Sequence, residues 1–264
     1  MSPEQANGPE KADFPEALTF NMFWQEFGAD TGFTKNQLQE MWQDAQTYYS
    51  DLPYHNFFHV TETLVIASRL AGECEANGVA VDRRALTMAT LFHDAGYHED
   101  HLALGFKNKE EYSASIFRIK ADEYGLTAAE AITANNAILS TQLGHNPETT
   151  EDKILVRSDL DNVVGDYEGF ISKTNLLRSE AKLFDGYKGD VTFATTSLRV
   201  LAEYFSNDLS LGEWETNHWS LQATKNLQRL ALEISKQQGV SAANYVKDLG
   251  STAVNKLLLR HDSE

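Results

Sequence analysis

Apolar residues recur along this chain at three- and four-residue steps, and two-residue alternation is nowhere sustained. Phe57, Val60, Leu64, Ala67 and Ala71 mark a helical stripe over 57–77, which Gly78 stops. Residues 82–95 are apolar on most sides (Ala85, Leu86, Met88, Ala89, Leu91, Phe92), which predicts a central, buried helix with Gly96 at its C-terminal cap. Asn108 with Glu111, and Thr127 with Glu130, have capping-box spacing and predict helices over 109–124 and 128–141. Segments 151–165, 167–184, 190–206, 217–237 and 241–260 read as further helices. Trp24, Trp42, Trp214 and Trp219 fall at helical spacings and read as core rather than as a platform for stacked bases. The expected fold class is therefore all-α. The loops around 99–107 and 142–150 are polar and flank the residues of most chemical interest.

Composition narrows this picture. A chain of 264 residues suits one domain with appendages. The expected organisation is a flexible acidic tail over 1–14, then one helical domain over 15–264 with a C-terminal helical extension from about 240. Hydrophobic residues make up 42%, which argues against disorder. Cys74 is the only cysteine, so no intrachain disulfide can form, as in a reducing compartment. Met1 to Phe14 lacks the basic and apolar segments of a secretory signal, and no apolar run approaches the ~20 residues that span a bilayer. The expectation is a cytoplasmic protein without a membrane partner. The net charge of −17 disfavours duplex nucleic acid. A small phosphorylated substrate remains open, because a bound divalent cation can reverse the sign of a pocket.

Three segments carry chemistry. In Leu91-Phe92-His93-Asp94-Ala95-Gly96 a histidine and an aspartate end an otherwise apolar helix. A carboxylate buried there needs a partner, and a divalent cation is a natural one. The bland alternative is a capping aspartate beside a satisfied core histidine. In Tyr54-His55-Asn56-Phe57-Phe58-His59, Asn56 is a plausible N-cap, with His59 in the first turn and His55 just before it. One imidazole can then bind metal while the other donates a proton, or both are ordinary half-buried histidines. The third element is a carboxylate within 154–161. Asp159 shares a side with Leu155, Val156 and Val163, whereas Asp161 falls nearer Arg157 and Ser158 on a more solvated side. Asp159 is thus the better inward ligand. A calcium loop beginning at Asp159 fails, because Val163 and Val164 stand where an oxygen ligand and a glycine are required.

The order Tyr-His-Asn-x-x-His, then His-Asp, then a distant Asp resembles the signature of HD-domain phosphohydrolases. The first motif is similar to that of cyclic-nucleotide phosphodiesterases, and the closer resemblance is to predicted bacterial metal-dependent phosphohydrolases of the HD superfamily. Glu110-Glu111-Tyr112-Ser113-Ala114, Ser140-Thr141 followed by His145, Arg157-Ser158-Asp159-Leu160, Arg178-Ser179-Glu180 and Asn226-Leu227 extend the resemblance over roughly residues 40–235. It departs just before Glu110, where Lys109 stands in place of the expected asparagine.

The resemblance implies an HD-type helical bundle whose metal is held by His59, His93, Asp94 and Asp159, with His55 and Asp94 catalytic. Two imidazoles and two carboxylates suit manganese, iron, cobalt, nickel or zinc better than calcium. The metal would acidify a water and polarise a phosphoryl oxygen, and His55 would protonate the departing oxygen. The implied substrate is a small phosphorylated molecule, a nucleotide foremost, and a homo-oligomer is left open. His145, Glu111 and His98 are candidates for a second metal, magnesium among them, or for substrate contact. Their bland alternatives are a solvated loop histidine, a capping partner and a surface histidine. His101, His218 and His261 read as surface or packing residues. Two rival functions are a non-catalytic metal or nucleotide sensor and an HD-type di-iron oxygenase.

Overall fold

The computed structural model describes residues 19–184, 187–215, 218–249 and 258. The tail expected over 1–14, His261 and most of the extension past 249 lie outside them. The described residues contain eleven α-helices and no strand: α1 (Phe20–Phe27), α2 (Lys35–Gln46), α3 (Phe57–Ala76), α4 (Arg83–Phe92), α5 (Lys109–Glu123), α6 (Ala128–Ser140), α7 (Thr150–Asp159), α8 (Tyr167–Ala181), α9 (Asp190–Tyr204), α10 (His218–Gln238) and α11 (Ala242–Asp248). None of the helices is long and apolar enough to cross a membrane among the described residues.

Local chemistry accounts for most boundaries. Asn56 accepts hydrogen bonds from the N–H groups of Phe58 and His59 and so starts α3 where the sequence places it. Thr127 and Glu130 form a reciprocal capping box at α6. At α5 the expected box is only half made: Asn108 caps the Glu111 N–H, but the Glu111 carboxylate accepts from Lys107 N–H instead of from Asn108. Helices α1 and α2 were not anticipated. A signal existed for α2, because Thr34 and Gln37 form a capping box.

Two expected spans are corrected. The helix expected over 151–165 ends at Asp159 and is followed by a 3-10 turn, Asp161–Val163. Asn226 Nδ2 donates to the carbonyls of Val163 and Gly165 and holds the chain out of helical register there. The central helix ends at Phe92, not 95, so His93 is its C-cap and Asp94 lies in the turn beyond. The Thr90 carbonyl is taken by His93 Nδ1 and the Leu91 carbonyl by Tyr49 Oη, so the last turn is closed by side chains.

Gly96 is accordingly not the cap of α4. It takes φ +73 further along the turn and donates its N–H to Tyr48 O. A Cβ there would meet Tyr112 Cε1 at 2.5 Å and Ile116 Cδ1 at 3.0 Å. Gly96→Ala is therefore expected to lose about 1–3 kcal/mol of stability through backbone strain alone, with the clash added. An unchanged urea midpoint in that variant would refute this account of the turn.

Helix α4 is enclosed by α3, α5, α6 and α7, and every residue from Ala85 to Phe92 is buried. Two hydrophobic clusters result. The first joins α1–α7 around Leu64, Met88, Leu91, Phe92, Phe117 and Ile138. The second joins the end of α7 to α8–α11 through Val163, Phe170, Leu198, Leu227 and Ile234. Leu155 belongs to the first and its neighbour Val156 to the second, so the last turn of α7 lies on the seam between them.

Candidate metal centre

Three helix ends meet at that seam. The first turn of α3 presents His59, the C-terminus of α4 presents His93 and Asp94, and the C-terminus of α7 presents Asp159. Helix C-termini carry partial negative charge, so two of the three already favour a cation. One ligand atom from each of His59, His93, Asp94 and Asp159 lies within 4.8 Å of all the others. His59 Nε2 is 2.9 Å from Asp159 Oδ1 and 3.7 Å from Asp94 Oδ2. His93 Nε2 is 3.3 Å from Asp94 Oδ2 and 3.6 Å from Asp159 Oδ1.

The residues could hold a metal ion. Two ligand atoms each about 2.1 Å from one ion sit about 3.0 Å apart at a right angle and about 3.4 Å apart at the tetrahedral angle, and the separations above span that range. His93 Nδ1 is 2.8 Å from Thr90 O, a contact that needs the proton on Nδ1. Its Nε2 then turns a lone pair toward the group, the arrangement in which ligating histidines are held by a backbone carbonyl. Buried His93 Nε2 and Asp94 Oδ2 both lack a hydrogen bond among the described residues. In the neutral ring that lone pair faces a carboxylate oxygen in a dry site, which is unfavourable until a proton or a metal cation lies between them.

Electrostatics state the same demand. Burial opposes a charge on His93, but Asp94 and Asp159 outweigh it and push the imidazole up to about 10. Burial likewise opposes the Asp94 carboxylate, yet Lys109 and His93 hold it well below the usual range. Asp159 is half-buried; desolvation opposes its charge, and the His59 and His93 imidazoles beside it hold its carboxyl well below the usual range. The group thus draws positive charge onto whatever it encloses.

His55 stands beside this group and not in it. Its Nδ1 is 2.5 Å from Glu180 Oε1, and Glu180 Oε2 accepts the backbone N–H groups of Tyr54 and His55. The ring stacks on Tyr97 with centroids 3.8 Å apart. Burial lowers the His55 pKa, while the Glu180 hydrogen bond works against that. With Nδ1 engaged, Nε2 is the ring atom left for chemistry. Lys109 reaches in from the first residue of α5, and its Nζ donates to Asp94 Oδ1 at 2.7 Å. Burial opposes its charge, but Asp94 and Glu110 hold its pKa well above the ordinary value.

The remaining candidates lie elsewhere. His145 is exposed in the loop after α6, and His98 is exposed beside Glu99. Glu111 pairs with Lys107. None of the three belongs to the group of four. The expectation that Arg157 and Ser158 face solvent is corrected: both are buried, because Arg157 pairs with Glu215 and lies over Trp219 while Ser158 Oγ donates to Ile154 O. Asp161 next to them is half-buried. Glu180, Tyr97 and Lys109 received no role from sequence. Glu180 had a signal in Arg178-Ser179-Glu180, and Lys109 had one as the residue that breaks the resemblance. Tyr97 had none.

No protein-family model matches the chain, and no curated protein matches it.

Proposed function

We propose that the protein is a metal-dependent phosphohydrolase of the HD class that hydrolyses a small phosphorylated substrate. The observation that carries this is the buried pair His93 Nε2 and Asp94 Oδ2, 3.3 Å apart and each without a hydrogen bond among the described residues, in one group with His59 and Asp159. The HD assignment is supported by the order of motifs along the chain, whose scattered members converge on one point. When bound there, a divalent transition metal supplies Lewis-acid polarisation of a phosphoryl oxygen and a water acidified toward neutrality. His59, His93, Asp94 and Asp159 would hold it. Lys109 fixes Asp94 from the opposite side and offers positive charge to a phosphate oxygen. Glu180 holds His55 through Nδ1, and Nε2 would then face the substrate. In the reaction the oxygen of water bonds to phosphorus, and the bond from phosphorus to the alcohol oxygen breaks. That oxygen leaves with a proton from His55 Nε2, and the surplus proton of the water restores the imidazole through solvent.

The test begins with chelator-treated protein, reloaded separately with manganese, iron, cobalt, nickel or zinc. Each form is assayed on nitrophenyl phosphoesters, nucleotides and cyclic nucleotides. Phosphoester hydrolysis is expected to vanish on chelation and return with at least one metal. Absence of hydrolysis with every metal would overturn the proposal. Oxygen uptake by the iron form would then favour an oxygenase, and nucleotide binding without turnover would favour a sensor.

A further inference from the structure

Two recesses meet at Asp159, and they differ in character. One, about 240 Å³, is lined by His59 and by Glu62, Asp161 and Asp166, and its lysine, Lys173, is bonded to Glu62. That recess repels an anion. The other, about 270 Å³, lies between α8 and α9 and has Lys109 and His55 at the end nearest the candidate metal ligands. Away from that end its walls are Leu160, Phe170, Leu177, Phe193, Val200 and Leu201. Several hydroxyls there are already spent as donors inside the protein: Thr141 on Ile138 O, Thr174 on Phe170 O and Tyr204 on Thr141 O. Tyr54, Asn162, Thr196 and Ser197 also line it and carry no side-chain hydrogen bond among the described residues, so the recess offers a few polar groups set in mostly apolar walls. Among the described residues Lys109 is its only lysine, and no arginine lines it.

We propose that this second recess is the substrate site and that the substrate is an ester carrying a single phosphate group on an apolar, aromatic or aliphatic body. The proposal rests on the phosphohydrolase reading and narrows it. The phosphate lies at the Lys109 and His55 end, where one ammonium matches one phosphate group. The organic group lies between α8 and α9, where contact with apolar walls removes its surface from water. Lys109 binds the phosphate directly, which gives a use to the residue that departs from the expected asparagine.

The test is calorimetric titration of manganese-loaded protein with inorganic phosphate, methylphosphonate, benzylphosphonate and adenosine monophosphate, none of which requires turnover. Benzylphosphonate is expected to bind at least about tenfold more tightly than methylphosphonate, given the apolar area that its ring would bury, and more tightly than adenosine monophosphate. Ser197 lines the recess from α9 and is half-buried. Ser197→Trp should fill the space and remove the benzyl advantage, while inorganic phosphate still binds as in the parent protein. If phosphate binds but benzylphosphonate gains nothing over methylphosphonate, the recess proposal fails and the phosphohydrolase reading stands. Tighter binding of adenosine monophosphate also overturns the recess proposal alone. If neither phosphate nor any phosphonate binds, both fall together.

Discussion

Asp94→Asn is expected to strip the protein of metal and of phosphohydrolase activity together while leaving it folded. The side chain keeps its shape, and the amide oxygen can still accept from Lys109 Nζ, which lies 2.7 Å from Oδ1 in the parent protein. The negative charge is lost. The group of four then offers one carboxylate instead of two to a divalent cation, in a buried site where charge compensation dominates. Loss of outer-shell partners typically lowers metal affinity by about 10- to 100-fold, and a directly ligating carboxylate should exceed that. Removing Lewis-acid stabilisation of about 4 kcal/mol corresponds to about three decades in rate. Metal content after dialysis, helical circular dichroism and the hydrolysis rate are measured on one preparation. A folded variant with full metal occupancy would remove Asp94 from the ligand set.

The second large effect is expected at His55, and its size should depend on the leaving group. An alkoxide departs poorly from phosphorus, and protonation at that oxygen is typically worth ~100- to 10,000-fold. His55 is suited to this because Glu180 holds Nδ1 and leaves Nε2 without a hydrogen bond among the described residues, in the recess that Lys109 also lines. His55→Ala should keep its metal, since His55 is outside the group of four. It should turn over alkyl phosphoesters slowly yet lose much less on a nitrophenyl phosphoester, whose leaving group needs little protonation. A metal ligand would damage both substrates alike, and a packing residue would change only stability. Equal losses on both substrates, or metal loss on removing His55, would show that this residue is not the proton donor.

The candidate site divides between what local pattern can carry and what it cannot. His59 was placed in the first turn of α3 because an Asn cap and an apolar stripe are both local, and α3 starts where they indicate. Asp159 was preferred over Asp161 by helical periodicity, and Asp159 is the one in the group. The same periodicity misjudged Arg157 and Ser158. Polar residue types suggest solvent, but Glu215 and Trp219, about sixty residues further along, cover that face. Glu180 is 125 residues from His55 in sequence, and no local rule pairs a carboxylate with an imidazole across that distance.

By itself the sequence determined that the chain is helical, where most helices start, and that α4 is buried. Each of these depends on caps and apolar stripes within a few residues of one another. The tertiary structure decided the rest. It ended α4 at Phe92, because Tyr49 and His93 take the carbonyls of its last turn, and so moved His93 and Asp94 into a turn where both can face Asp159. It brought Lys109 onto Asp94 and Glu180 onto His55, and it opened one acidic and one apolar recess on either side of Asp159. Those features depend on how helices far apart in sequence pack across the seam between two cores, and on burial that raises the cost of every unpaired charge.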